Sequence, residues 1–153
     1  MPRFASITLF GAALLALVSI AADAEDGAVR VSEAYARAVP PGQTNSAVYL
    51  TLSNGPGQPR ALVAAASLAA ESVELHTHTE EGGMMRMRRL ERIEIPAGAT
   101  LSLEPGGLHL MLIGLKEDLQ PGGQVDLTLT FDDGVQTQVQ APVRKVEAMS
   151  MHR

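Results

Sequence analysis

Short apolar runs bounded by turn residues predict an all-β fold, a sandwich or barrel built as one domain. Three observations carry this reading. The runs alternate apolar and polar residues, the period of a strand with one buried face. Clusters of Gly, Pro, Asn and Asp separate them, drawn from 14 glycines and 9 prolines in a chain of 153 residues, a length that suits a single core. After the N-terminal leader, no helical periodicity persists for more than about a dozen residues.

Residues 1–24 read as a secretory signal peptide rather than as part of the fold. Arg3 supplies the positive end, an apolar run extends from Ile7 to Ile20, and Ala22-Asp23-Ala24 is a small-x-small cleavage site. The run is short for a spanning helix, which needs about 20 residues. No cysteine follows it, so a lipoprotein signal is excluded. Export to the periplasm, with no membrane span after cleavage, is the expectation.

The β domain is expected over residues 25–144, beginning with Val29 to Ala36. Ala47 to Leu52 is a β-rich run stopped by Asn54-Gly55-Pro56-Gly57. Arg60 to Leu68 is Ala-rich at its end and fits strand or helix. Ser72 to His78 alternates cleanly, and the chain then turns at Glu81-Gly82-Gly83 into Met84 to Leu90. Ile93 to Ile95 and Thr100 to Leu103 flank Pro96-Ala97-Gly98. Pro105-Gly106-Gly107 leads into Leu108 to Leu112, and Pro121-Gly122-Gly123 precedes Val125 to Phe131. Asp132-Asp133-Gly134 reads as a hairpin turn into Val135 to Val143. Residues 145–153 form a polar tail with methionine and histidine, expected to be flexible.

Composition narrows the chemistry. Twelve basic against 17 acidic residues give a net charge of −5, which argues against nucleic-acid binding. The absence of cysteine removes disulfides, thiolate catalysis, cysteine zinc sites, iron–sulfur ligation and blue copper. Aromatic residues are only 3% of the chain, so the core is expected to be aliphatic. Most of the seven methionines stand at position 84 or later, near three of the four histidines.

Strand parity assigns faces. Val73 and Leu75 share one face, and Glu74, His76 and His78 share the other. Leu108, Leu110 and Leu112 form a natural core face, which sends His109 and Met111 to the opposite side. Met85, Met87 and Arg89 alternate with Met84, Arg86 and Arg88, and neither face is plainly the inner one. An edge strand beside a site has this look.

Thioether sulfur and imidazole nitrogen are ligands for soft Cu(I). Thioethers need no deprotonation and cannot be lost to disulfide formation in an oxidising compartment. Singly, each residue has a plain reading: His76 as a surface imidazole, Met87 as packing, Arg86 and Arg88 as a solvated face. Together, His76, Met87, His109 and Met111 form the pattern H-x10-M-x21-H-x-M. It resembles the motif of the periplasmic copper chaperones called PCuAC. The words Met85-Arg86-Met87-Arg88, Ile95-Pro96-Ala97-Gly98 and Pro105 to Leu112 match as well, and the likeness runs from about Val31 to Val143.

The resemblance implies a cupredoxin-like Greek-key β-barrel and a solvent-accessible Cu(I) site of His76, Met87, His109 and Met111. It implies a metallochaperone, not an enzyme, that carries copper to an acceptor: the CuA subunit of cytochrome c oxidase or another copper chaperone. His78 is an auxiliary ligand, a supporting group or an exposed side chain. Met84 and Met85 offer alternative sulfurs. Met149, Met151 and His152 resemble the tails of family members that hold a second copper, Cu(II). A monomer is expected.

Other readings stay open. His76, His78 and His109 also suit a zinc site with an open position, as in an exported hydrolase or hydratase. Copper storage or resistance would use the same ligands, and a metal-free adhesion or assembly domain would use none. The sequence contains no G-x-S-x-G, no phosphate-binding glycine loop with lysine and no H-E-x-x-H.

Overall fold

The computed structural model describes residues 28–146. Residues 1–24, which the sequence reads as a signal peptide, and most of the tail lie outside them. Ten strands follow in order. They are β1 (Arg30–Arg37), β2 (Asn45–Ser53), β3 (Arg60–Ala66), β4 (Ala70–Glu81), β5 (Met84–Leu90), β6 (Ile93–Ile95), β7 (Thr100–Leu103), β8 (His109–Leu115), β9 (Gln124–Phe131) and β10 (Gln136–Arg144). The Ala-rich segment is the strand β3: its bond partners are β9 on one side and β6 on the other.

Seven strands close a barrel in the order β4-β8-β2-β1-β10-β9-β3, and the pairing of Ala65 with Val73 returns β3 to β4. Closure pairs the two ends of these seven strands, and the edges that remain belong to strands outside the seven. Strands β5, β6 and β7 extend the barrel from β4, β3 and β2. Of the strand pairs, β1 with β10 runs parallel and the others antiparallel. Strand β8 follows β7 along one edge of β2 and inserts between β2 and β4, whose hairpin partner is β5, so the connections cross between distant strands as in a Greek key.

Period-2 alternation fills the interior. Val48, Leu50 and Leu52 from β2, Leu110 and Leu112 from β8, and Val125, Leu127 and Leu129 from β9 are all fully buried. Each such side chain contributes about 1.5–3 kcal/mol by leaving water. Phe131 is the one aromatic ring in this cluster, so the core is aliphatic as composition predicts. Two buried polar residues tie the connections down. Ser46 Oγ donates to the Arg37 carbonyl at 2.6 Å. Asn54 Nδ2 donates to the carbonyls of Gln58 and Ile95 at 2.7 and 3.0 Å. The third buried polar residue is His109, and it belongs to the site.

Candidate metal centre

A hairpin turn sets the geometry of the site. Gly82 and Gly83 have φ of +60° and +79°, the two left-handed conformations of a two-residue type I′ turn. Any other residue would strain this backbone. The turn fixes β5 against β4 so that Glu81 faces Met84, Glu80 faces Met85, His78 faces Met87 and His76 faces Arg89. The parity that the sequence leaves ambiguous is thereby settled. Met85, Met87 and Arg89 lie on the face that carries Glu74, His76 and His78. On the other side of β4, His76 faces His109 and Glu74 faces Met111. Three adjacent strands thus bring His76, His78, Met87, His109 and Met111 to one face of the sheet.

Strand β2 lies beyond β8, with Ala47 opposite Met111. A cavity of about 320 Å³ opens there, lined by His78, Met87, His109 and Met111 together with Ala47 and Tyr49. His109 faces away from the leucine core yet is only 2% exposed. Neighbouring rings cover it: His78 stacks on it with centroids 5.1 Å apart, His76 lies at 5.8 Å and Tyr49 at 6.4 Å. Met111 is half-buried, whereas Met87, on the edge strand, is 45% exposed.

Hydrogen bonds orient two of the three imidazoles. His109 Nδ1–H donates to the Gly107 carbonyl at 3.0 Å, which leaves the lone pair on Nε2. Burial lowers the His109 pKa from its ordinary value, and the charges of His78 and His76 act in the same direction. The Gly107 carbonyl opposes them. The ring is held in the neutral form that a metal needs. His76 is oriented the other way. Its Nε2–H donates to Glu74 Oε2 at 2.8 Å, and Arg89 Nη1 stands 3.5 Å from Glu74 Oε1. The hydrogen bond from His76 holds the Glu74 carboxyl below its usual pKa, with Arg89 assisting and desolvation opposing.

His76 Nδ1 and His78 Nδ1 are both buried without a hydrogen-bond partner. An unpartnered buried nitrogen costs about 1–3 kcal/mol, and a natural protein seldom bears that cost twice in one place unless a ligand relieves it. Among the described residues, no group of three or more His, Asp or Glu side chains is arranged to hold a metal ion. The donors at this cavity include sulfur, which is the wrong chemistry for a three-histidine zinc site and the right one for a soft cation.

The auxiliary candidates divide. His78 is half-buried within the cluster, not exposed. Met85 and Met84 are exposed near the hairpin turn, on opposite faces of β5. Met149, Met151 and His152 lie outside the described residues. Sequence reasoning gave no role to Glu74 or Tyr49. The spacing Glu74-x-His76 on one strand face carried the signal for the first. Tyr49 had no comparable mark within its apolar run.

A family model described as "Putative lipoprotein LpqE-like" matches residues 29–143. The chain belongs to the LpqE-like family. A protein of Leifsonia xyli subsp. xyli described as "Putative lipoprotein Lxx21020" is 39% identical over 117 residues, covering 76% of this chain and 69% of that one. The 153 residues of this LpqE-like chain contain no cysteine to which a lipid could be joined. Among solved structures, the copper-bound PCuAC domain from PmoF2 superposes with a TM-score of 0.66, at 22% identity, over 77% of this chain and 93% of that chain. This likeness shows the fold, a cupredoxin-like barrel. The Cu(I) form of DR1885 from Deinococcus radiodurans is 42% identical with a TM-score of 0.63, covering 76% of this chain and 78% of that one. The PCuAC resemblance read from the sequence is thus met by the solved relatives of the LpqE-like fold. No helix among the described residues is long and apolar enough to cross a membrane.

Proposed function

We propose that this chain is an exported Cu(I)-binding metallochaperone that holds copper through His76, Met87, His109 and Met111. The observation that carries the reading is the convergence, on one sheet face, of two thioethers with imidazoles whose ring nitrogens lack protein partners. The 42% identity to a protein solved in a Cu(I) form supports it. We further propose that residues 1–24 direct export to the periplasm and that the acceptor is the CuA centre of cytochrome c oxidase or another copper chaperone.

Each side chain has a distinct task. His109 offers Nε2 from a ring fixed by the Gly107 carbonyl. His76 offers Nδ1 because Glu74 holds its Nε2–H, the carboxylate–imidazole arrangement that orients metal-binding histidines. Met111 supplies sulfur from a strand inside the barrel wall. Met87 supplies sulfur from the exposed edge strand, where an incoming thiolate or imidazole can displace it. Transfer by such exchange keeps copper bound throughout and involves no turnover of substrate.

The test is a Cu(I) titration of the chain beginning at Glu25, in competition with a chromophoric chelator, followed by X-ray absorption of the loaded protein. One tightly held ion with two sulfur and two nitrogen neighbours is expected at this site. A chelator that strips the ion without resistance, or a spectrum without sulfur, overturns the reading. Truncation after Arg144 tests the tail: loss of a second ion, Cu(II), assigns one to Met149, Met151 and His152.

A further inference from the structure

Four donors account for the copper reading, yet the imidazole that lines the cavity beside Met87, His109 and Met111 is that of His78, while His76 does not line it. The register places His78 directly opposite Met87. Its ring stacks on His109 more closely than that of His76 does, 5.1 against 5.8 Å. Its Nδ1 is buried with no hydrogen-bond partner. His76, by contrast, is anchored to Glu74 at 2.8 Å, and Glu74 is anchored to Arg89.

We propose that His78 is a fifth donor, so that copper occupies two overlapping sets that share Met87, His109 and Met111 and differ in the imidazole, His76 or His78. The inference rests on the Cu(I) reading above. Both rings leave Nδ1 unpartnered, and with the His78 proton on Nε2, as Glu74 holds it in His76, the ion exchanges one imidazole for the other without a proton moving. Three shared donors hold it meanwhile. Because β4 runs from His76 through His78 toward the Gly82-Gly83 turn, and Met87 lies opposite His78 on the free edge, the His78 set carries copper toward the side an acceptor can reach. His78 thereby separates two duties: His76 with Glu74 retains the ion, and His78 presents it.

The plain alternative is that His78 packs against His109 and binds nothing. The exported chain with His76→Asn, His78→Asn, both together, and His78→Phe separates the two. The phenyl ring of His78→Phe keeps the stack and removes the nitrogen. Cu(I) affinity is read by chelator competition, the nitrogen count by X-ray absorption, and folding by the thermal melt of the apo protein. Because the two sets are alternatives whose strengths add, sets of equal strength predict a loss of about twofold in each single variant, which keeps two nitrogen neighbours as the other imidazole takes over. The double variant is expected to fall by about a thousandfold and to keep one nitrogen. His78→Phe should match His78→Asn. Wild-type affinity in both His78 variants overturns the fifth donor, as does a His76→Asn protein as weak as the double variant. A wild-type protein that retains no Cu(I) overturns the underlying copper reading, and this inference with it.

Discussion

Leu110 and Leu112 turn from β8 into the barrel and are fully buried, among side chains with no polar atom to satisfy. His109 and Met111, one residue away on the same strand, lie on the outer face with two further imidazoles and a second thioether. His109 is almost as inaccessible as the leucines, yet its surroundings are chemically unfinished: two neighbouring ring nitrogens have no partner. The contrast teaches that burial alone does not distinguish core from site. The inner face is complete without a ligand, and the outer face is not. A substitution on β8 should therefore affect folding or binding according to its parity.

The largest expected effect comes from the inner face. Leu110→Ala removes a fully buried side chain and should cost about 2–5 kcal/mol of unfolding free energy, seen as a lower urea midpoint with the slope unchanged. Whatever fraction remains folded should hold Cu(I) as the wild type does. Met111→Leu is the mirror case. It replaces a thioether with a group of similar volume, so stability should change by less than about 1.5 kcal/mol. Cu(I) affinity should fall by about one to two orders of magnitude. Equal losses of stability in both variants, with no change in copper affinity in either, would erase the distinction between the faces.

That distinction could be read in advance on β8 because three leucines at alternate positions declare a core face. The hairpin at Gly82-Gly83 and the strand over Met84–Leu90 were equally clear. The role of the outer face of β5 was not. Its residues alternate methionine and arginine, and the side that meets the histidines depends on the register set by the turn. Nor could the ring orientations be read. The bonds from His109 to Gly107 and from His76 to Glu74 are facts of three-dimensional placement. Whether His78 or His76 lines the cavity depends on how the barrel wall presents consecutive same-face positions of β4, which strand parity treats as equivalent.

A smaller effect sharpens the account of the outer face. Glu74→Gln keeps the shape of the side chain and can still accept from His76, but it loses the charge that Arg89 and the imidazole share. Cu(I) affinity should fall by at most about twofold in the otherwise wild-type protein and by about tenfold when combined with His78→Asn, where the set that Glu74 supports stands alone. The urea midpoint should scarcely move, because the group is on the surface side of the sheet. A combined variant as tight as His78→Asn alone would mean that His76 needs no carboxylate to present Nδ1.

The smallest effect is a pH dependence confined to the outer face of the apo protein. Burial holds His109 below its ordinary pKa in the folded state, whereas unfolding restores the usual value of about 6.5. Between those two values the unfolded chain binds more protons than the folded one, so stability rises with pH there. The contribution is fully present above about pH 6.5 and is lost as pH falls through the lowered value of the folded state. Glu74, also lowered, acts in the same direction but only in the acidic range of carboxylates, so the two windows separate. Urea midpoints of apo wild type and His109→Gln should therefore converge as pH drops from 7.5 toward 5, apart from a constant offset for the substitution. A wild-type curve flat through that window would show that His109 accepts a proton without cost, and that the outer face resembles solvent more than the burial of its ring implies.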